Sequence, residues 1–135
     1  MDWQRATLGQ LVNVQSGCAF KSKEYCDAGH FLVRLGNVQD GKLNLGKPKY
    51  VSLDEKTLRF ELNEGDFLLS LTGNIGRVAR VEKEHLPAAL NQRVARITVT
   101  DSSQLSQKFL YQFLSSKFFR NTFLKDCSFP KMISP

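Results

Sequence analysis

The stretch GDFLLSLTGNIGRVARV, Gly65 to Val81, constrains the fold more than any other part of the chain. Phe67 to Leu71 is apolar at both odd and even positions. Successive strand side chains point to opposite faces, so a half-exposed strand alternates. A run that is apolar on both parities predicts a central strand buried on both faces. Gly73, Asn74 and Gly76 follow, and Ile75 to Val81 returns as a second strand. The loop between them admits three readings: a plain hairpin turn, a phosphate cradle, or part of a surface that reads a ligand.

Other elements can be placed around this pair. Leu8 to Gly17 reads as a short entry element ending in a turn at Ser16-Gly17, and Ala19 to His30 as a long ordered loop. Phe31 to Asn37 is apolar and β-compatible. Asp40-Gly41 is a hairpin signal, and Tyr50 lies in a short strand after Pro48. Ser52 and Glu55 have the spacing of a capping box, which predicts a short helix over Leu53 to Phe60. Glu82 to Gln92, punctuated by Pro87, reads as a loop. In Arg93 to Val99 the residues Arg93, Ala95, Ile97 and Val99 share one strand face, and Val94, Arg96 and Thr98 share the other. The period then changes. Leu105, Phe109, Leu110, Phe113 and Leu114 form a helical stripe, with Ser106 as N-cap and the phenylalanines as core. A second helical segment, KFFRNTFLK, follows. Strands first and helices last predict an α+β fold, with a twisted mixed or antiparallel sheet and C-terminal helices packed on it.

Composition bounds the function. The 135 residues suit one domain, and 41% hydrophobic against 24% charged supports a packed core. No apolar run reaches the roughly 20 residues of a membrane span. The start, MDWQRATLGQ, has no apolar signal region, so a cytoplasmic location without membrane attachment is expected. Cys18, Cys26 and Cys127 form no CxxC pair, and His30 and His85 stand alone, so neither disulfide nor metal is expected. The net charge of +6 favours a polyanion, nucleic acid above all, although a mildly basic soluble protein would share it.

Signatures of chemistry are scarce. The glycine loop is neither a Walker A loop nor GxGxxG, and no helix starts after it. It resembles the GxxG clamp of KH domains only in its glycines, since that clamp joins helices. No GxSxG or HExxH motif occurs, and Asp54 and Asp66 have sufficient roles at a helix start and a turn. Polar side chains that can read base edges do recur at loops and strand ends. They are Arg34, Asn37, Asn74, Arg77, Asn91, Gln92 and Arg93, with Lys21, Ser22 and Lys23 in the early loop. A solvated polar rim accounts equally well for any one of them.

Order and spacing along the chain carry a resemblance. LGQLVNVQSG, then FKS and Tyr25, then FLVRLGNVQDGKL, LNEGDFLLSLTGNIGRVARV, ALNQRVARI, LSQKFLYQFLSSKFF and KMISP follow one another. Together they resemble a target recognition domain of the specificity (S) subunit of type I restriction-modification systems. DCSFP, Asp126 to Pro130, departs from the small Gly-Ser/Thr stretch frequent there. The resemblance implies one recognition domain over residues 1–135, half of an S subunit without its spacer helix. It implies a non-catalytic module that reads duplex DNA for a complex with methyltransferase and restriction-motor subunits. It implies no cofactor of its own, S-adenosylmethionine being bound by the methyltransferase subunit. On this reading Arg34, Asn74, Arg77, Gln92 and Arg93 reach base edges, while Lys21, Ser22 and Lys23 meet phosphate. Arg96, mid-strand, is the uninvolved control, and the isolated domain is a monomer. A single-stranded nucleic-acid module and a protein-interaction scaffold remain the alternatives.

Overall fold

The computed structural model describes residues 12–73, 75–100, 106–119 and 121. Their order is β1 (Val12–Ser16), β2 (His30–Val33), β3 (Val38–Gln39), β4 (Lys42–Leu43), β5 (Tyr50–Val51), β6 (Phe67–Ser70), β7 (Val78–Arg80), β8 (Ala88–Leu90), β9 (Val94–Val99) and α1 (Gln107–Leu114). A helical turn, Lys117–Phe119, follows α1.

β1-β9-β6-β7 form an antiparallel four-stranded sheet. Its interior strand β6 is buried at all four positions. The doubly apolar run is thus explained by packing on both faces. Phe67 and Leu69 meet Ile97, Leu110, Leu114 and Phe119 on the helix side. Leu68 meets Phe31, Val33, Leu90 and Val94 on the other. That second layer is a three-stranded sheet, β5-β2-β8, in which β8 runs parallel to β2 and β5 antiparallel. Its outer face is covered by Phe20, with Leu32, Val51 and Ala89 beneath. Fully burying a side chain such as Leu68 contributes about 1.5–3 kcal/mol. β3 and β4 make the hairpin expected at Asp40-Gly41, and the Gly41 N–H donates to Val78 O at 2.9 Å, tying its tip to β7.

Four expectations need correction. Glu82 to Gln92 is not all loop, because Ala88–Leu90 is a strand. Phe31 to Asn37 is a strand only to Val33, after which Leu35–Asn37 turns as a 3₁₀ helix. No helix spans Leu53 to Phe60; only Leu58–Phe60 forms a 3₁₀ turn. Asp54, not Ser52, accepts there from Lys56 N and Thr57 N, each at 2.9 Å, because an Asx turn satisfies those donors locally. Ser106 does cap α1, its Oγ accepting from Phe109 N at 3.0 Å, and Leu110 and Leu114 are buried. Phe109, however, is 59% exposed and Phe118 63%, so the stripe is core on one side only. Leu105, and KFFRNTFLK beyond Phe119 apart from Asn121, lie outside the described residues.

Candidate functional site

β2, β6 and β8 end at one edge of the molecule, and the loops that follow them meet there. The β6–β7 connection is a hairpin loop closed by Ser70 N to Arg77 O at 2.9 Å and Gly76 N to Ser70 O at 3.0 Å. Gly73 and Gly76 adopt φ of 65° and 91°, which favours glycine. A Cβ on Gly73 would stand 3.5 Å from Leu35 Cδ2, so the loop lies on the turn after β2. Asn74 lies outside the described residues.

Arg77 is half-buried. Its N–H donates to Ser70 Oγ at 2.9 Å and its Nη1 to Gln39 Oε1 at 3.2 Å. Arg77, Gln39, Lys42, Asn44, Gly73 and Ile75 line a recess of about 990 Å³. A second recess, about 340 Å³, is lined by Arg34, Gly36, Asn44, Gly46 and Lys47. Asn44 lines both, so the two recesses adjoin at the β3–β4 hairpin, and the pair is called the trough. Its described walls carry Arg34, Lys42, Lys47 and Arg77 against one carboxylate, Asp40. Gln39, Lys42, Asn44 and Lys47 were not singled out from the sequence. The hairpin signal at Asp40-Gly41 could have marked Gln39 and Lys42 as its legs, but not the wall they build.

The sequence candidates divide. Arg34 follows Val33 and Asn91 follows Leu90 at the ends of the paired strands β2 and β8. Arg34 Nη2 donates to Lys47 O at 2.7 Å, clamping one trough wall. Arg34 Nε and Asn91 Oδ1 are enclosed and lack a hydrogen bond among the described residues. Asn37 is only 3% exposed, and its amide is used on both sides. Its Oδ1 accepts from Arg34 N at 2.9 Å and its Nδ2 donates to Asn44 O at 2.8 Å. It builds the trough from beneath. Gln92 and Arg93 are exposed on the link from β8 to β9, and Arg93 O accepts from Leu71 N at the foot of the glycine loop. Lys21, Ser22 and Lys23 are exposed in a short 3₁₀ turn, Ser22–Glu24 together with Lys21, and Glu24 Oε2 accepts from Lys21 N at 2.6 Å. Their tie to the edge is Cys18, which donates to Leu90 O and accepts from Gln92 N.

Two non-glycine residues among those described have positive φ: Lys47 at 52° and Arg93 at 68°. Both are basic and both sit at this edge. Such backbone costs of order 1 kcal/mol and gathers where a surface serves a ligand. Gly17 makes the packing possible. A Cβ there would fall 1.9 Å from Asn91 O.

Arg96 requires a correction. It is the hub of a polar network. Nη1 donates to Glu61 O at 2.7 Å and to Asp66 Oδ2 at 3.1 Å, and Nη2 donates to Arg59 O at 2.8 Å. Nε donates to Gln15 Oε1 at 3.0 Å. It is a structural residue, so an exposed arginine away from the trough, such as Arg80, makes the better control.

Among the described residues no group of three or more His, Cys, Asp or Glu could hold a metal. Burial, then the Glu24 carboxylate, pushes the Cys18 thiol up, which keeps it protonated near neutral pH. The trough offers positive charge and hydrogen-bond donors, the chemistry of binding an anionic, base-bearing polymer.

The family model described as "Type I restriction modification DNA specificity domain" matches residues 1–134. The chain is 29% identical over 130 residues to the type I restriction enzyme MjaVIII specificity subunit of Methanocaldococcus jannaschii, covering 92% of this chain and 30% of that protein. It is 32% identical over 126 residues to the EcoAI specificity subunit of Escherichia coli, covering 89% and 21%. Thus it spans less than a third of the length of these curated relatives. The crystal structure of an HsdS subunit from Thermoanaerobacter tengcongensis superposes with a TM-score of 0.63 at 19% identity, over 89% of this chain and 28% of that one. The S subunit from M. genitalium does so with a TM-score of 0.53 at 18% identity, over 84% and 26%. These likenesses bear out the α+β fold with mixed and antiparallel sheets.

Proposed function

The chain belongs to the type I restriction modification DNA specificity domain family, and from that membership we propose that it is a single target recognition domain reading one half of a bipartite duplex-DNA site. The observation that supports this most is the trough: four cations and a set of amides at one edge, one of the cations, Lys47, having positive φ. Arg77 and Gln92 are base-edge readers, and Arg93 and Asn74 are assigned the same role. Lys42, Lys47 and the turn Lys21, Ser22 and Lys23 hold phosphate. Arg34 and Asn91 shape the wall between them, and Asn37, buried, supports it from below.

The chain supplies specificity and no chemistry. Methyltransferase and restriction-motor subunits of a cytoplasmic complex carry the reactions, the former with S-adenosylmethionine. The chain alone is a monomer in solution, which sedimentation tests.

Duplex binding measured across a salt series tests the reading. Each neutralised phosphate contributes about −0.9 to the log–log slope, so the four lysines assigned to phosphate, Lys21, Lys23, Lys42 and Lys47, give about −3 to −4. Non-specific affinity is expected near 10⁻⁴ to 10⁻⁶ M at physiological salt. A flat response from folded protein would overturn DNA reading and favour a protein-interaction scaffold. Tighter binding to single strands than to duplex would favour a single-stranded nucleic-acid module.

A further inference from the structure

The β3–β4 hairpin contributes a glutamine whose amide is oriented from both ends. Gln39 Nε2 donates to Gly36 O at 3.0 Å, and its Oε1 accepts from Arg77 Nη1 at 3.2 Å. A carbonyl can only accept and a guanidinium can only donate, so the amide has one satisfactory orientation. Arg77 is held at its other end as well, through its backbone N–H on Ser70 Oγ. Ser70 is only 1% exposed. The side chain therefore starts from a fixed strand end and is pinned near its tip.

The pin engages only one nitrogen. Arg77 Nε and Nη2 make no hydrogen bond among the described residues. Those two N–H groups form one straight edge of the guanidinium fork, which matches the O6 and N7 acceptors of guanine in the major groove. Gln39 is also uncharged. A carboxylate at that position would hold Arg77 as firmly but would neutralise it, competing with DNA for the same cation. A neutral acceptor orients the arginine and leaves its charge available.

We infer that Gln39 is a specificity-determining positioning residue: it presents the Nε–Nη2 edge of Arg77 to a guanine at one position of the recognised half-site. This rests on the DNA-reading function proposed above. Gln39 itself need not touch the base. Without it Arg77 remains a cation at the same place, but its fork samples several rotamers and loses its geometric preference.

The test is selection from random-sequence duplexes at low salt. It uses the 135-residue chain with Gln39→Met, Gln39→Glu and Arg77→Met, each checked for an unchanged melting curve. The wild type is expected to select guanine at a position that Arg77→Met flattens. Gln39→Met should reduce the preference at that same position at least fivefold and leave the others in place. Gln39→Glu, which keeps an acceptor for Arg77, should retain the guanine while weakening binding to every duplex. Loss of packing alone would lower all positions together, which would overturn the inference. So would a guanine preference that Arg77→Met removes and Gln39→Met leaves, with the DNA-reading function intact. A wild type that binds duplex but selects no sequence would overturn sequence reading and the inference with it. If a Gln39 variant melts early, an Arg77→Lys exchange gives an independent reading. It keeps the charge but not the fork, and an unchanged guanine preference there would overturn the inference.

Discussion

Replacing Arg96 with methionine tests how the two sheets are joined. Arg96 lies on β9 opposite Gln15 on β1 and Leu68 on β6. Its guanidinium reaches past the sheet to Asp66 and to the carbonyls of Arg59 and Glu61, which lead into the second layer. The Arg96 and Asp66 side chains are 12% and 10% exposed. Breaking a buried ion pair from one side costs about 3–5 kcal/mol, because the remaining charge is left without its partner. Asp66 would keep one donor, since its Oδ2 also accepts from Asn63 N at 2.8 Å. The lower end of the range therefore applies, about 3 kcal/mol. For 135 residues, an unfolding entropy of roughly 2.1 cal/mol/K per residue converts this to a fall in Tm of about 10 °C. Urea and thermal melts of DNA-free protein measure it, with Asp66→Asn and the double variant completing a cycle. The double variant should lose at least 1 kcal/mol less than the sum of the two single losses. A loss below about 1 kcal/mol for Arg96→Met, or simple additivity, would show that the network is worth no more than a surface pair, and the reasoning would fail.

Three other outcomes are expected. Asp54→Ala should destabilise most at neutral pH. The Thr57 backbone and hydroxyl hydrogen bonds hold the Asp54 carboxyl below its usual range, so its contribution is full above about pH 5 and is lost as pH falls below about 4. A gap between variant and wild type that persists at low pH would show that the charge is not its source. Arg93→Gly removes a side chain at positive φ, so stability should change by no more than about 1 kcal/mol while duplex affinity falls; melts and binding isotherms should separate. Gly17→Ala drives a methyl group into the Asn91 carbonyl and should cost about 2 kcal/mol or more in chemical denaturation, with duplex affinity reduced in whatever remains folded.

Features that short windows of residues carry were legible without the fold. Apolar residues on both parities marked β6 as interior, Asp40-Gly41 marked the hairpin, alternation assigned the two faces of β9, and Ser106 marked the start of α1. Each depends on residues within a few positions of one another, where backbone geometry and side-chain direction suffice. The order of motifs was also enough to indicate the family. What depended on distant contacts could only be decided by the tertiary structure. Ala88–Leu90 is too short to show a period and becomes a strand because β2, more than fifty residues earlier, supplies its partners. Phe109 and Leu110 have the same helical spacing in the stripe, yet only the packing of α1 on its sheet leaves one exposed and buries the other. Asn37, Arg96 and Gln39 are all polar residues near loops or strands, and their types alone do not separate them. The fold buries the first under the trough, makes the second the hub of a network, and sets the third against Arg77. These roles follow from which carbonyls and carboxylates lie within 3 Å or so once the sheets are stacked, and no local pattern encodes that.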